Sequence, residues 1–126
     1  MSDHPICHVE IPAIDPATAS TFYADVFGWQ IQVAPTRNSH MFHPQGGPGG
    51  AFVEVGQSVM SMEYKPDSLL VYVGTDDIDA TLAKVESLGG KTLMPKTEIP
   101  HVGWWAVFSD PTGNRVALYT SMRHEA

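Results

Sequence analysis

The chain has 126 residues, which suits one domain or two very small ones sharing a core. A hydrophobic fraction of 43% with 17% charged residues is a globular composition and excludes a disordered chain, and one cysteine excludes both an intrachain disulfide and a cysteine-rich zinc site. Seven basic against fourteen acidic residues, a net charge of −7 with no Lys/Arg cluster, argue against a nucleic-acid partner. The longest apolar run, Leu69 to Val73, falls far short of the roughly 20 residues of a membrane-spanning helix. No basic segment leads into an apolar one at the start, so no secretory signal is visible. The expectation is a cytoplasmic protein with no membrane partner.

In chain order, a first strand is expected at residues 6–11. A helix follows at Asp15-Pro16, a capping carboxylate before a proline at the first helical position. Its apolar stripe reads Ala19, Phe22, Tyr23, Val26 and Phe27, and Gly28 ends it. Strands are expected at 30–34, 39–42 and 51–55, and 56–68 reads as a linker whose Met60-Ser61-Met62 piece could form a short extra strand. A strand at 69–74 leads to a second helix from Asp76-Asp77, with the stripe Ile78, Leu82, Val85 and Leu88 and a stop at Gly89-Gly90. Strands at 92–95, 104–109 and 115–120 complete the chain.

The second half repeats the first. Gly28 recurs as Gly90 at an offset of 62, and Pro48-Gly49-Gly50 as Pro111-Thr112-Gly113 at an offset of 63. At the same 63, Glu54 falls on Ala117. The fold class is therefore α+β: two tandem βαβββ modules, residues 1–58 and 67–122, with a linker at 59–66 and a tail at 123–126. Neither module can bury both sheet faces alone. The sheets are expected to join into an open, curved, cavity-bearing surface with the helices on the convex side.

His8-Val9-Glu10-Ile11-Pro12, Asp15 and Phe22-Tyr23-Ala24-Asp25-Val26-Phe27-Gly28-Trp29 in the first module, with Val71-Tyr72-Val73, Asp76 to Ala80, Leu88-Gly89-Gly90 and Phe108-Ser109-Asp110-Pro111-Thr112-Gly113-Asn114 in the second, resemble the vicinal oxygen chelate superfamily. This is the glyoxalase/bleomycin resistance protein/dioxygenase fold. The resemblance covers nearly the whole chain and implies the fold far more than the function, since members include isomerases, dioxygenases, epimerases, thiol transferases and drug-binding proteins. It also implies a homodimer, which the sheet edges of an eight-stranded chain favour.

Strand alternation sorts the cavity residues. Cys7, Val9 and Ile11 should pack under the helix, leaving Ile6, His8 and Glu10 inside the cavity. On the fourth strand Ala51, Val53 and Val55 should pack, with Phe52 and Glu54 in the cavity. In the second module Leu70, Tyr72, Arg115, Ala117 and Tyr119 should line it, together with one indole of Trp104-Trp105. Phe52, Leu70, Tyr72, Trp105, Arg115 and Tyr119 are thus the ligand-binding candidates. His8, Glu10 and Glu54 are the catalytic candidates, as an acid/base group or as a satisfied polar cluster. His40, His43 and His101 read as rim or solvent residues, and Cys7 as an inert buried thiol.

In metal-dependent relatives, four cavity positions hold the ion. His8 and Glu54 match two of them, while Leu70 and Ala117 occupy the others and cannot ligate. Two protein ligands make a weak site. No cofactor is therefore expected. A divalent metal, if present, would touch His8 and Glu54. The favoured reading is a protein that binds a small organic molecule without a full metal site. The alternative is a metal-dependent lyase/isomerase or dioxygenase-type enzyme using His8 and Glu54.

Overall fold

The computed structural model describes residues 4–34, 39–56, 58–59 and 62–122. The chain divides into two compact units: residues 8–70, and the residues after Leu70 together with those before His8.

The first unit contains β1 (Ile6–Ala13, from His8 onward), α1 (Pro16–Phe27), β2 (Gln30–Ala34), β3 (Ser39–His43) and β4 (Gly49–Glu54) in the sheet order β2-β3-β4-β1. β4 runs parallel to β1, and the two other pairings are antiparallel. A two-stranded ribbon, β5 (Ser58–Val59) with β6 (Met62–Glu63), follows in the expected linker, while the Met60-Ser61 part of the expected extra strand lies outside the described residues.

The start of α1 is fixed by Asp15, whose carboxylate accepts from the Ala17 N–H at 3.1 Å and the Thr18 hydroxyl at 2.9 Å. These two bonds, the Thr18 hydroxyl first, hold its carboxyl below the usual range. Gly28, left-handed at φ 73°, closes the helix by donating its N–H to the Ala24 carbonyl. The buried face differs from the expected stripe. Phe22, Val26 and Phe27 are all more than half exposed, and Ser20 is the buried residue of the helix. Ala19 and Tyr23 pack on the core, and the Ser20 hydroxyl is satisfied by the Pro16 carbonyl. Small side chains on this face let α1 sit close to a sheet surface that is already crowded with rings. That surface holds Phe42 and Phe52 at 5.0 Å, Trp29 on Phe42 at 4.7 Å and Tyr23 on Trp29 at 5.3 Å. Such pairs add about 0.5–1.5 kcal/mol each beyond their buried area.

The second unit carries β7 (Leu70–Gly74, from Val71 onward), α2 (Ile78–Ser87), β8 (Lys91–Ile99), β9 (Gly103–Ser109) and β10 (Arg115–Ser121) in the order β7-β10-β9-β8, with β10 parallel to β7. Asp77 caps α2 through the Ala80 N–H at 3.0 Å. Ile78 and Leu82 are buried with Ala106 and Leu118 beneath that helix, while Leu88 is exposed. Each unit therefore runs strand, helix, three strands, with its fourth strand parallel to its first. This is the expected pair of βαβββ modules in an α+β fold.

The repeat is not held at one offset. The helix caps Asp15 and Asp77 stand at an offset of 62. In the strand ladders, His40↔Phe52, Met41↔Ala51 and Phe42↔Gly50 of the first module correspond to Ala106↔Leu118, Val107↔Ala117 and Phe108↔Val116 of the second, at an offset of 66. The extra length lies in β8, which spans nine residues with two register shifts, whereas its counterpart β2 spans five with none. Ala51, not Glu54, is therefore the counterpart of Ala117, and Phe52 is the counterpart of Leu118.

Candidate functional site

β1 places Val9, Ile11 and Ala13 in the core under α1. Its alternate residues, His8 and Glu10, point to the sheet face that carries no helix. There the buried Tyr64 hydroxyl donates to Glu10 Oε1 at 2.7 Å, and His8 Nε2 lies 3.8 Å from Glu10 Oε2. The His8 and Glu10 side chains keep 28% and 15% of their surface exposed, so they are reachable yet partly desolvated. Tyr64 fixes one carboxylate oxygen and leaves the other beside the imidazole. Such a group can hold a ligand hydroxyl or carbonyl, or accept a proton. The sequence reading missed Tyr64, because it sits in the expected linker, far along the chain from Glu10. Its only signal was an aromatic residue in a polar stretch.

β4 corrects two expected site residues. Phe52 is 3% exposed within the cluster under α1, so it packs the core and does not wall a cavity. Glu54, on the same parity of the strand and opposite Ala13, shares that helix-bearing face and is exposed. It stands apart from His8. Alternation in Gly49–Glu54 could not decide the phase, since apolar Phe52 and charged Glu54 share one parity. The ring cluster decides it, because Phe52 fills a place that Ala51 cannot.

In the second unit, Tyr72 is buried and stacks on Trp105 with centroids 5.7 Å apart and planes 6° from parallel. Trp104 turns the other way, onto the core beneath α2, with the Lys96 ammonium 5.2 Å from its ring. Tyr119 lies opposite Trp105 in the ladder, and Arg115 starts the same strand opposite Ser109. Burial raises the Tyr119 phenol above its ordinary range. Leu70 and Ala117 are buried. The Cys7 thiol, donating to the Tyr72 carbonyl at 3.7 Å, is pushed up by burial and is a poor nucleophile. His43 is exposed on β3, and His101 sits exposed in the turn after β8 at φ 66°.

The four expected metal positions do not bring donors together. His8 and Glu54 occupy opposite faces of one sheet, and the side chains of Leu70 and Ala117 are hydrocarbon. Among the described residues no group of three or more His, Cys, Asp or Glu could hold an ion. No helix among them is long and apolar enough to cross a membrane.

A family model described as Glyoxalase/Bleomycin resistance protein/Dioxygenase superfamily matches residues 6–118. A glyoxylase-like domain-containing protein of Didymella fabae is 34% identical over 119 residues, covering 91% of this chain and 92% of that protein. The anthracycline biosynthesis protein DnrV of Streptomyces peucetius is 27% identical over 117 residues, covering 83% of this chain but only 42% of DnrV. Among solved structures, methylmalonyl-CoA epimerase from Mycobacterium tuberculosis superimposes with a TM-score of 0.67 at 16% identity, over 96% of this chain and 91% of that one. At that identity the likeness concerns the fold alone.

Proposed function

From the premise that the chain belongs to the Glyoxalase/Bleomycin resistance protein/Dioxygenase superfamily, we propose that it binds a small, planar organic molecule without a resident transition metal. The observation that carries this reading is the His8–Glu10–Tyr64 group, a set of oriented polar atoms on a rigid strand and on the face without a helix. Within its own unit, Trp105 stacks on Tyr72 and is a half-buried indole of the kind that offers a face to flat ligands. The name of DnrV, which refers to anthracycline biosynthesis, agrees with a planar, oxygenated ligand class.

A second reading is favoured by the proximity of Glu10 to His8. A carboxylate there would stabilise the imidazolium formed when His8 takes a proton from a bound hydroxyl or carbon acid. It needs no metal. Titration of hydroxylated polycyclic aromatics, followed by amide chemical shifts, tests the proposal. Saturable shifts near His8, weakened about tenfold or more by His8→Ala or Glu10→Gln, are expected. One tightly held equivalent of zinc or manganese and no aromatic binding would overturn it in favour of a metal enzyme.

A further inference from the structure

Taking the ligand to bind at the His8–Glu10–Tyr64 group, as proposed above, we infer that this site selects a ligand hydroxyl, with Glu10 reading it and Tyr64 acting through Glu10 as a positioning residue. Glu10 is on β1 and Tyr64 follows β6, 54 residues further along the first unit. The phenol is buried, and its hydroxyl donates to Glu10 Oε1 at 2.7 Å, the length of a charge-assisted bond. That bond spends Oε1 and holds the carboxylate against rotation. The second oxygen, Oε2, accepts no hydrogen bond among the described residues. His8 Nε2 stands 3.8 Å from it, beyond hydrogen-bond reach. The Glu10 side chain keeps 15% of its surface exposed, so a ligand can reach the carboxylate.

An ionised carboxylate accepts hydrogen bonds and donates none. A hydroxyl can therefore bind Oε2. An ether or ketone oxygen in the same place sets lone pairs against lone pairs and strips the carboxylate of water without replacing it. An oxygen about 2.7 Å from Oε2 is also within reach of Nε2, since a span of 3.8 Å lets one atom touch both ends. A site built to bond a ligand hydroxyl rejects the analogue lacking it far more steeply than an apolar wall does. Tyr64 sets which atom of Glu10 does the reading. With an amide in place of the carboxylate, the donating phenol would keep the amide oxygen on its own side, and the amino group would take the place of Oε2. The site would then donate where it now accepts, and its preference would move from the hydroxyl toward the ether.

Titration of the full chain with naphthol and with its methyl ether, followed by amide chemical shifts, tests this. Wild type should hold naphthol about tenfold or more tighter than the ether. Glu10→Gln should bring the two affinities together, naphthol losing and the ether gaining. Adding Tyr64→Phe to Glu10→Gln frees the amide to turn its oxygen to the ligand, so naphthol should recover about threefold or more of its lead. A Tyr64 that only supports the fold would instead lower the naphthol affinity further, and that result, or no recovery, removes its positioning role. Naphthol and ether held equally near His8 by wild type would overturn the selectivity and leave the binding reading standing. With neither probe shifting amides near His8, the site and its selectivity both fall.

Discussion

At the scale of single residues, the structure turns on hydrogen bonds that sequence spacing does not advertise. Tyr64 is 6% exposed and its hydroxyl ends on Glu10. Removing it leaves a partly buried carboxylate oxygen without its donor, which typically costs about 1–2 kcal/mol. Tyr64→Phe should therefore lower unfolding stability by about that amount in urea titrations, and a change below about 0.3 kcal/mol would mean that water replaces the hydroxyl without loss. Asp110 was legible from the start as part of the Asp-Pro-Thr-Gly-Asn turn, and the structure supplies its role. Its carboxylate accepts from the Asn114 N–H at 2.9 Å, the Thr112 hydroxyl at 2.8 Å and the Asn114 amide at 3.2 Å. These bonds pull it from 3.8 to about 2. A carboxyl lowered in the folded state stabilises that state fully above its unfolded value and loses the contribution as pH falls toward the folded one. Asp110→Ala should thus be destabilising at pH 5–7, and the gap to wild type should narrow between about pH 4 and pH 2 in thermal melts.

At the scale of elements, both helices, their capping aspartates and the eight main strands were legible, because caps, turns and apolar runs are local signals. The rotation of α1 was not. Its stripe offered Ala19, Phe22, Tyr23, Val26 and Phe27 for burial, yet the sheet beneath was already filled by Trp29, Phe42 and Phe52, so the helix packs Ala19 and Tyr23 of that stripe and buries Ser20 in place of the rest. The phase of β4 was hidden for a related reason. The glycine turns suggested an offset of 63, whereas the longer β8 sets the ladders at 66, and an odd error in register exchanges the two faces of a strand. Gly50 shows how tightly that register is held. A Cβ at this position would strike the Val9 carbonyl oxygen and come within 2.5 Å of the Phe42 ring. The neighbour is backbone in a parallel pair and cannot yield without separating β1 from β4. Gly50→Ala should destabilise by about 3 kcal/mol. Gly46→Ala, where an added carbon meets nothing within 4 Å, should stay within about 0.5 kcal/mol of wild type. Equal effects for the two in denaturant titrations would remove the close approach as the reason for glycine at position 50.

At the scale of the molecule, charge decides what the fold can do with its neighbours. The family was legible because two contiguous motifs stand together in one chain, Phe22-Tyr23 with Phe27-Gly28-Trp29 in the first module and the turn Phe108 to Asn114 in the second. The site was only partly so, because His8 and Glu10 lie on one strand but Tyr64 reaches them from a segment with no pattern. The acidic excess, 14 against 7, was visible from composition, and it sets how the proposed ligand binding depends on salt. A chain of −7 repels an anion over a distance that ions screen, with a Debye length of about 10 Å at 0.1 M and about 30 Å at 0.01 M. A neutral hydroxylated aromatic feels no such repulsion. Its affinity should therefore stay unchanged between about 10 mM and about 100 mM sodium chloride, whereas a carboxylated analogue should bind more tightly at the higher salt, and titration at the two concentrations checks the difference. Weakening of the carboxylated analogue as salt is added would mean that a cationic group holds it, against the overall charge.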